Sequence, residues 1–348
     1  MVELWFGIVA VMLAAYVVLD GFDLGAGALH LFVARTDAER RQVLAAIGPY
    51  WDGNEVWLLA LGGALFVAFP QVLASSLSGF YFAIFLVLWA LILRGIAIEF
   101  RSHVEHAAWR ELWDTVFFLA SAALPVLFGA ALGNLLRGVP LDDSGWFTLA
   151  LFTDFRTSDP VGILDWYTVF AGVFALSALV AHGGIYLAWK TDGPVQARAA
   201  RIARWSYGGV AMAWPVLTWA TAAITPDLFP QLTTRPLAMG AAGLAVGGLV
   251  AVASGVKRGR YLLAFLGSSA FIAGMLAATA ASVFPVMLRA TGADALSITA
   301  YAASSGDSNL RTALGWWLVG APIAAGYFVL LFRLHRGTAR AAEGREGY

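Results

Sequence analysis

The sequence contains no cysteine and little charge. Without cysteine, the chain of 348 residues cannot form disulfides, thiolate zinc sites, cysteine-ligated iron–sulfur clusters or a cysteine nucleophile. Charged residues make up 13% of the chain and hydrophobic residues 60%, whereas soluble domains carry about 25% charged residues. So little charge cannot cover a water-exposed surface, and the composition predicts a polytopic membrane protein. The net charge of zero gives no electrostatic reason to expect nucleic acid as a partner.

In place of charged residues, the sequence contains long apolar runs. A helix needs about 20 apolar residues to cross about 30 Å of hydrocarbon, and backbone polar groups in lipid must be hydrogen-bonded within the segment. We therefore predict an all-α fold, one integral membrane domain over 1–348 with a flexible tail at 334–348. The first run has no basic residues before it, so we expect a retained span and not a signal peptide. The nine predicted spans are about 4–33, 54–73, 76–99, 115–136, 163–188, 205–225, 237–255, 261–288 and 310–333.

Basic residues gather in alternate loops. The positive-inside rule then predicts that the N-terminus lies outside and the C-terminus lies in the cytoplasm. The loops on the other side hold acidic residues, namely Asp142, Asp143, Asp154, Asp159 and Asp227. The basic set is Arg35, Arg40, Arg41, Arg101, Arg110, Lys190, Arg198, Arg201, Arg204, Lys257, Arg258, Arg260 and the tail from Arg333.

Two carboxylates interrupt the first predicted span. Asp20 and Asp23 lie three residues apart, so both project from one face of a helix. A charge at the centre of a span costs roughly 3 kcal/mol or more, and neighbouring carboxylates repel, so the pair suits a proton carrier. A polar patch hydrogen-bonded to a neighbouring helix is the alternative. The adjacent Gly21, Gly25 and Gly27 predict a close helix contact.

The second predicted span opens with G-P-Y-W-D-G-N-E-V-W at residues 48–57. Asp52 and Glu55 match a helix-capping box, which is the structural interpretation. With Trp51, Asn54 and Trp57 beside them, the same carboxylates also suit a proton entrance. A second capping box, T-D-A-E from Thr36 to Glu39, predicts a short amphipathic helix through Ala46.

For the other polar residues in or near the predicted spans, we expect structural roles. Arg94 and Glu99 lie five apart, a spacing that does not ensure a salt bridge, and we expect Arg94 to extend toward the membrane surface. Asp114 and Asn134 are expected in capping or interface roles. His30 and His182 lie in or near spans, where a helix–helix hydrogen bond is favoured over haem ligation, so no metal site is predicted in this chain. No H-E-x-x-H, phosphate-binding loop or dinucleotide fingerprint occurs.

Several motifs in the first part of the chain resemble one family. They are L-W-F, D-G-F-D-L-G, G-P-Y-W-D-G-N-E-V-W-L, G-G-A-L-F-x-A-F-P, L-R-G-I-A-I-E-F-R, W-R-x-x-W-D and G-N-L-L-R-G-V-P. In these motifs the chain resembles subunit II of the cytochrome bd quinol oxidases over about residues 4–140.

The resemblance implies a multi-pass subunit of a respiratory terminal oxidase in the prokaryotic cytoplasmic (inner) membrane. Such oxidases couple quinol oxidation to reduction of dioxygen to water, electrogenically, with protons taken from the cytoplasm. It implies that this chain alone holds no cofactor and that haem b and haem d lie mainly in the partner, subunit I. Quinol as substrate, a bound structural quinone or lipid, and small single-helix accessory subunits are further expectations.

The resemblance also assigns roles to residues. Asp20, Asp23 and Asp52, together with the adjacent Glu55, would form a cytoplasmic proton route to the haem d site. Supporting positions around this route would be held by Trp51, Asn54, Trp57, Arg94 and Glu99.

Two other functions remain open from the residues. A proton- or cation-coupled transporter could use the same carboxylates as its ion site, and a purely structural subunit could stabilise a catalytic partner through its apolar surface.

Overall fold

The protein is mostly helical. The computed structural model describes residues 1–339, so part of the predicted tail, residues 340–348, lies outside the described residues. The helices are α1 Val2–Val33, α2 Asp37–Ile47, α3 Trp51–Ala68, α4 Pro70–Gly79, α5 Tyr81–Phe100, α6 Ala107–Arg137, α7 Trp166–Lys190, α8 Gly193–Ile224, α9 Leu228–Thr234, α10 Pro236–Lys257, α11 Tyr261–Val283, α12 Ala300–Ala303 and α13 Asp307–Leu334.

Seven helices of the described chain are long and apolar enough to cross a membrane, namely α1, α5, α6, α7, α10, α11 and α13. This confirms a polytopic membrane protein. The other two predicted spans, 54–73 and 205–225, fall on α3 and on the second half of α8. Both helices are less apolar than the seven named above. In α3 the cause is its polar first turn, which holds Asp52, Asn54 and Glu55. The count of nine spans stays a prediction.

Several predicted span boundaries are wrong. The span predicted over 76–99 crosses the break at Phe80 between α4 and α5, and the span predicted over 261–288 runs past Val283, where α11 ends.

Two other boundaries differ for clear local reasons. Residues 54–73 do not form one helix, because the chain breaks at Phe69 and Pro70 starts α4, where its missing N–H costs no hydrogen bond. The span predicted from residue 163 begins instead at Trp166. There the Asp165 side chain caps α7 by accepting hydrogen bonds from the N–H groups of Tyr167 and Thr168.

Short strands lie in two of the loops, an addition to the all-α expectation. The strand β1 (Ala150–Phe152) pairs in parallel with β2 (Gly162–Leu164), and β3 (Val286–Leu288) pairs antiparallel with β4 (Ile298–Thr299). We call the side that carries these strands the strand face. The opposite side, which carries α2 and the loop 101–106, is the basic face.

The helix α2 forms as the sequence predicts. The Thr36 hydroxyl accepts a hydrogen bond from the Glu39 N–H (3.3 Å), and the Glu39 carboxylate accepts one from the Thr36 N–H (3.3 Å). This confirms the capping box. Arg198 of α8 also pairs with Glu39 at 2.6 Å, which ties α2 to α8 at the basic face.

The centre of the bundle is α1, which packs against α3, α6, α7 and α11. Its glycines allow this crowding, as predicted. A Cβ added at Gly25 would lie 1.9 Å from the backbone oxygen of Leu179, and one added at Gly27 would lie 2.1 Å from the Ser121 hydroxyl. The backbones of α1 and α7 are therefore as close as glycine permits.

We predict that Gly25→Ala destabilises the protein and that Gly7→Ala does not. Alanine at 25 must push α7 away, at a cost of about 1–3 kcal/mol or more, since Leu179 supplies backbone and not a flexible side-chain end. Gly7 lies on the same helix with nothing within 4 Å of an added Cβ, so alanine there gains helix propensity. Thermal unfolding in detergent measures both. Equal melting temperatures would contradict the close packing.

Candidate functional site: a buried carboxyl cluster

The two carboxylates of α1 lie inside the bundle. Asp20 is 0% exposed and Asp23 is 1% exposed. Arg94 of α5, also fully buried, donates a hydrogen bond from one guanidinium nitrogen to Asp20 (2.6 Å). The prediction that Arg94 extends toward the membrane surface is therefore wrong. An arginine inside an apolar bundle needs an anion, and Asp20 supplies it.

The first turns of α3 complete the group. The Asn54 side-chain amide donates to the Asp23 carboxylate (2.7 Å) and to the backbone oxygen of Leu19 (3.1 Å). The second guanidinium nitrogen of Arg94 donates to the Glu55 carboxylate (2.8 Å). We call these five residues, Asp20, Asp23, Asn54, Glu55 and Arg94, the carboxyl cluster.

The carboxyl cluster is unbalanced in charge and in hydrogen bonds. It holds three carboxyl groups and one guanidinium, so full ionisation would leave two excess negative charges. Several of its atoms, and two aromatic groups nearby, are buried without a hydrogen-bond partner among the described residues. They are Oδ2 of Asp20, Oδ1 of Asp23, Oδ1 of Asn54, Nε of Arg94, the Tyr16 hydroxyl and Nε1 of Trp57. Buried polar atoms are usually satisfied by protein or water, so this pattern suits ordered water and an exchangeable proton.

The remaining predicted residues lie around the cluster. Asp52 is exposed in the first turn of α3, and Trp51 approaches Gly95 of α5, with 3.4 Å between its ring and an added Cβ. The capping interpretation of Asp52 is wrong, since Tyr50 is the N-cap residue and no side chain caps the helix. Glu99 is exposed at the end of α5, away from the Arg94 ion pairs.

Both membrane histidines make helix–helix hydrogen bonds, as predicted. The two ring nitrogens of His182 lie 2.6 Å from the Ser268 hydroxyl and 2.9 Å from the backbone oxygen of Val18. The Nε2 atom of His30 lies 2.5 Å from the Asp114 carboxylate. Both ring nitrogens of His182 are therefore engaged, whereas Nδ1 of His30 is buried without a hydrogen-bond partner among the described residues. Within residues 1–339, no group of three or more His, Cys, Asp or Glu side chains could hold a metal ion.

A second buried ion-pair network lies at the basic face, and sequence reasoning missed it. Asp114, 1% exposed, binds His30 of α1, Arg40 of α2 (2.8 Å) and Arg101 after α5 (2.6 Å). The expected capping or interface role for Asp114 is wrong, because the residue joins four segments. On the strand face, Asn134 accepts a hydrogen bond from Arg137, which pairs with Asp165.

The exposed edge of this network contains Asp37. Partial burial acts to raise the pKa of Asp37, but the hydrogen bond from Arg101 and the charges of Arg101, Arg110 and Arg41 outweigh it. The pKa therefore lies below its ordinary value, and Asp37 stays ionised at neutral pH.

We predict that Asp114→Asn lowers stability strongly. Removing its charge deprives Arg101 of its buried anion and leaves it only the partly exposed Asp37, and breaking a buried pair costs about 3–5 kcal/mol. The matched control is Asp307→Asn, which breaks an exposed pair with Arg311 and should change stability little, because water screens that pair. Thermal unfolding of both purified variants provides the comparison. Equal losses would show that the Asp114 network adds nothing beyond surface pairing.

Comparison with known proteins places this architecture in a family. The family model for cytochrome bd terminal oxidase subunit II matches residues 1–335. Cytochrome bd-I ubiquinol oxidase subunit 2 of Escherichia coli is 40% identical over 196 residues, 56% of this chain and 50% of that protein, so the match spans half of that relative's length. Cytochrome bd ubiquinol oxidase subunit 2 of Bacillus subtilis is 33% identical over 311 residues, 89% of this chain and 88% of that protein.

A solved structure shares the fold. It is the bd oxidase from Geobacillus thermodenitrificans, with a TM-score of 0.75 and 15% identity, covering 96% of this chain and 98% of that chain. These findings confirm the resemblance predicted from the motifs. The chain belongs to the cytochrome bd terminal oxidase subunit II family.

Proposed function

We propose that the chain is the second subunit of a bd-type terminal oxidase, which couples quinol oxidation to reduction of dioxygen to water in a prokaryotic cytoplasmic membrane. Its partner is the haem-bearing subunit I, which this chain supports and supplies with protons. Family membership and the seven apolar helices support this proposal. The carboxyl cluster is the observation that carries the proton role, because a cofactor-free subunit has no other evident need for three carboxyl groups at that depth.

The proposed route begins at the basic face. Asp52, exposed in the first turn of α3, takes a proton from water. Glu55, one turn further along and 25% exposed, passes the proton inward. Asp20 and Asp23 hold it deeper in the bundle, where Arg94 keeps part of the negative charge balanced. The unpartnered oxygen atoms of Asp20, Asp23 and Asn54 provide acceptors for the water that would connect these groups.

The same route would make turnover electrogenic. We infer nine spans, with the N-terminus outside and the basic face in the cytoplasm, because α3 and α8 connect the same two faces as their neighbours. Protons consumed in reducing dioxygen would then come from the cytoplasm. If quinol releases its protons outside, turnover charges the membrane without a pump.

The haems of such an oxidase fit the partner better than this chain. Both ring nitrogens of His182 and Nε2 of His30 already contact groups within this chain, which favours haem ligation by the partner. An apolar cavity of about 230 Å³, lined mainly by α1, α6, α7, α8 and α11, supports the proposal of a bound quinone or lipid. Its tail would pack against Phe128, Phe174 and Met275.

We expect Asp52→Asn and Asp23→Asn to slow oxygen consumption by about tenfold or more, with the haem spectrum of the purified complex intact. Asparagine preserves the size of each side chain and removes its ability to carry a proton. Asp143→Asn is the control, since Asp143 is an exposed carboxylate on the strand face. Oxygen-electrode turnover and haem difference spectra are the measurements.

Two outcomes would contradict the proton role. Unchanged turnover with intact haem would indicate a purely structural subunit. Loss of haem d in Asp52→Asn would assign that residue to assembly of the complex.

The topology has a separate test. Because the chain has no cysteine, an introduced cysteine is the only thiol in it that can be labelled. We expect a membrane-impermeant maleimide to label Ser158→Cys in intact cells and to label Ser102→Cys only after permeabilisation. Ser158 is exposed on the strand face and Ser102 is exposed on the basic face. The reverse pattern would invert the proposed orientation and place the proton entrance outside.

A further inference from the structure

The basic residues at the basic face differ in whether an acid lies beside them. Around α2 the cations are paired, since Arg40 and Arg101 bind Asp114 and Arg198 binds Glu39. At the basic ends of α8, α10 and α11, five exposed cations form no ion pair within residues 1–339. They are Arg201, Arg204, Lys257, Arg258 and Arg260, which we call the α8–α11 patch.

Helix packing brings these five cations to one side of the bundle. Both α8 and α10 pack on α11. The rings of Tyr207 and Phe271 lie 6.3 Å apart, and a Cβ added at Gly255 would lie 2.6 Å from the backbone nitrogen of Ala264. Arg204 precedes Tyr207 by three residues, so it lies near the helix face that meets α11. The basic end of α8 and the turn between α10 and α11 therefore lie close together.

No acid of these three helices offsets the charge of the patch. The helices α8, α10 and α11 contain no Asp or Glu. The positive-inside rule explains why basic residues lie on this face, but it does not require them to be separated from every acid. Cations that repel one another at a membrane surface are stabilised by an anionic ligand.

The patch lies at the level of lipid headgroups. All five cations fall within four residues of an end of the predicted spans 205–225, 237–255 and 261–288. Trp205, 77% exposed, lies at the same level, and tryptophan prefers the headgroup region of a bilayer. Clusters of four to eight Lys and Arg residues just outside a span are typical of anionic-lipid sites.

The surface beyond the patch, toward the strand face, is apolar. Met212 of α8 is 77% exposed, Val250 of α10 is 64% exposed and Leu266 of α11 is 56% exposed. A soluble anion would contact the cations alone, whereas a phospholipid would contact the cations with its phosphate and these side chains with its acyl chains. The combination favours a lipid over a free phosphate.

We propose that the α8–α11 patch binds an anionic phospholipid in the leaflet at the basic face. The lipid phosphate accepts hydrogen bonds from Arg204 and Arg258, and charged donors of this kind form the stronger hydrogen bonds. The acyl chains lie along the exposed apolar residues of α8 and α10. The site is built on other helices than the carboxyl cluster, so lipid binding does not require the proton route.

Photo-crosslinking in the purified, intact complex tests the lipid site. The probe is phosphatidylglycerol with a diazirine on one acyl chain, added below saturation, and we expect adducts on peptides of α8 and α10. The double variant Arg204→Gln with Arg258→Gln should lower their yield about tenfold or more, because each cation near the lipid surface strengthens binding severalfold. The matched control is Arg333→Gln with Arg336→Gln. It removes two exposed cations at the end of α13 on the same face and should leave the yield unchanged.

Four results would overturn the lipid site. Equal yields from the double variant and its control would show that the patch contributes nothing, and equal labelling by the same diazirine on phosphatidylcholine would show that the apolar surface alone binds. Complete loss of adducts with excess glycerol phosphate would assign the patch to a soluble anion. Loss of the haem-bearing subunit from the double variant would assign the patch to the partner. None of these results contradicts the proposed function, which fails separately if Asp23→Asn leaves oxygen consumption unchanged.

Discussion

One buried guanidinium holds the central site together. Arg94 of α5 is fully enclosed, and its two terminal nitrogens bind Asp20 of α1 and Glu55 of α3 at 2.6 and 2.8 Å. Removing either partner from a buried ion pair costs about 3–5 kcal/mol, so the three helices must meet at the level of Arg94. That constraint brings the polar start of α3 against the middle of the bundle. It also places Asp23 within hydrogen-bonding reach of Asn54, inside an apolar bundle.

Much of the fold could be predicted from the sequence because apolar length is a local property. Seven of the predicted spans correspond to helices long and apolar enough to cross a membrane, and the Thr36 capping box predicts α2, since all its hydrogen bonds lie within four residues. The helix break at Pro70 and the cap at Asp165 shift two boundaries that hydropathy alone cannot locate. The short strands could not be predicted, because they depend on pairing between separate parts of a loop.

The site residues that could be predicted from the sequence are those whose charge is unusual for the apolar segment that contains them. Asp20 and Asp23 stand out as charges in an apolar run, whatever packs against them. The role of Arg94 could not be predicted in this way, because its partner Asp20 lies 74 positions away. The spacing between Arg94 and Glu99 does not indicate an ion pair either. Asp114 lies near a helix start, where an acid normally caps or faces water, and its burial depends on Arg101 and on segments distant in sequence. The motif resemblance supplied what spacing could not, by bringing the acids of α1 and α3 into one expected route.

The account depends on hydrogen ions passing through buried carboxyl groups toward a metal centre in a neighbouring subunit. The most direct measurement is an experimental structure of the purified complex at a resolution that shows ordered water. We expect water molecules to join Asp52 and Glu55 to Asp20 and Asp23, and to continue into the partner. A dry apolar layer between the carboxyl cluster and the partner, or a carboxyl cluster bordered by lipid, would contradict the central claim.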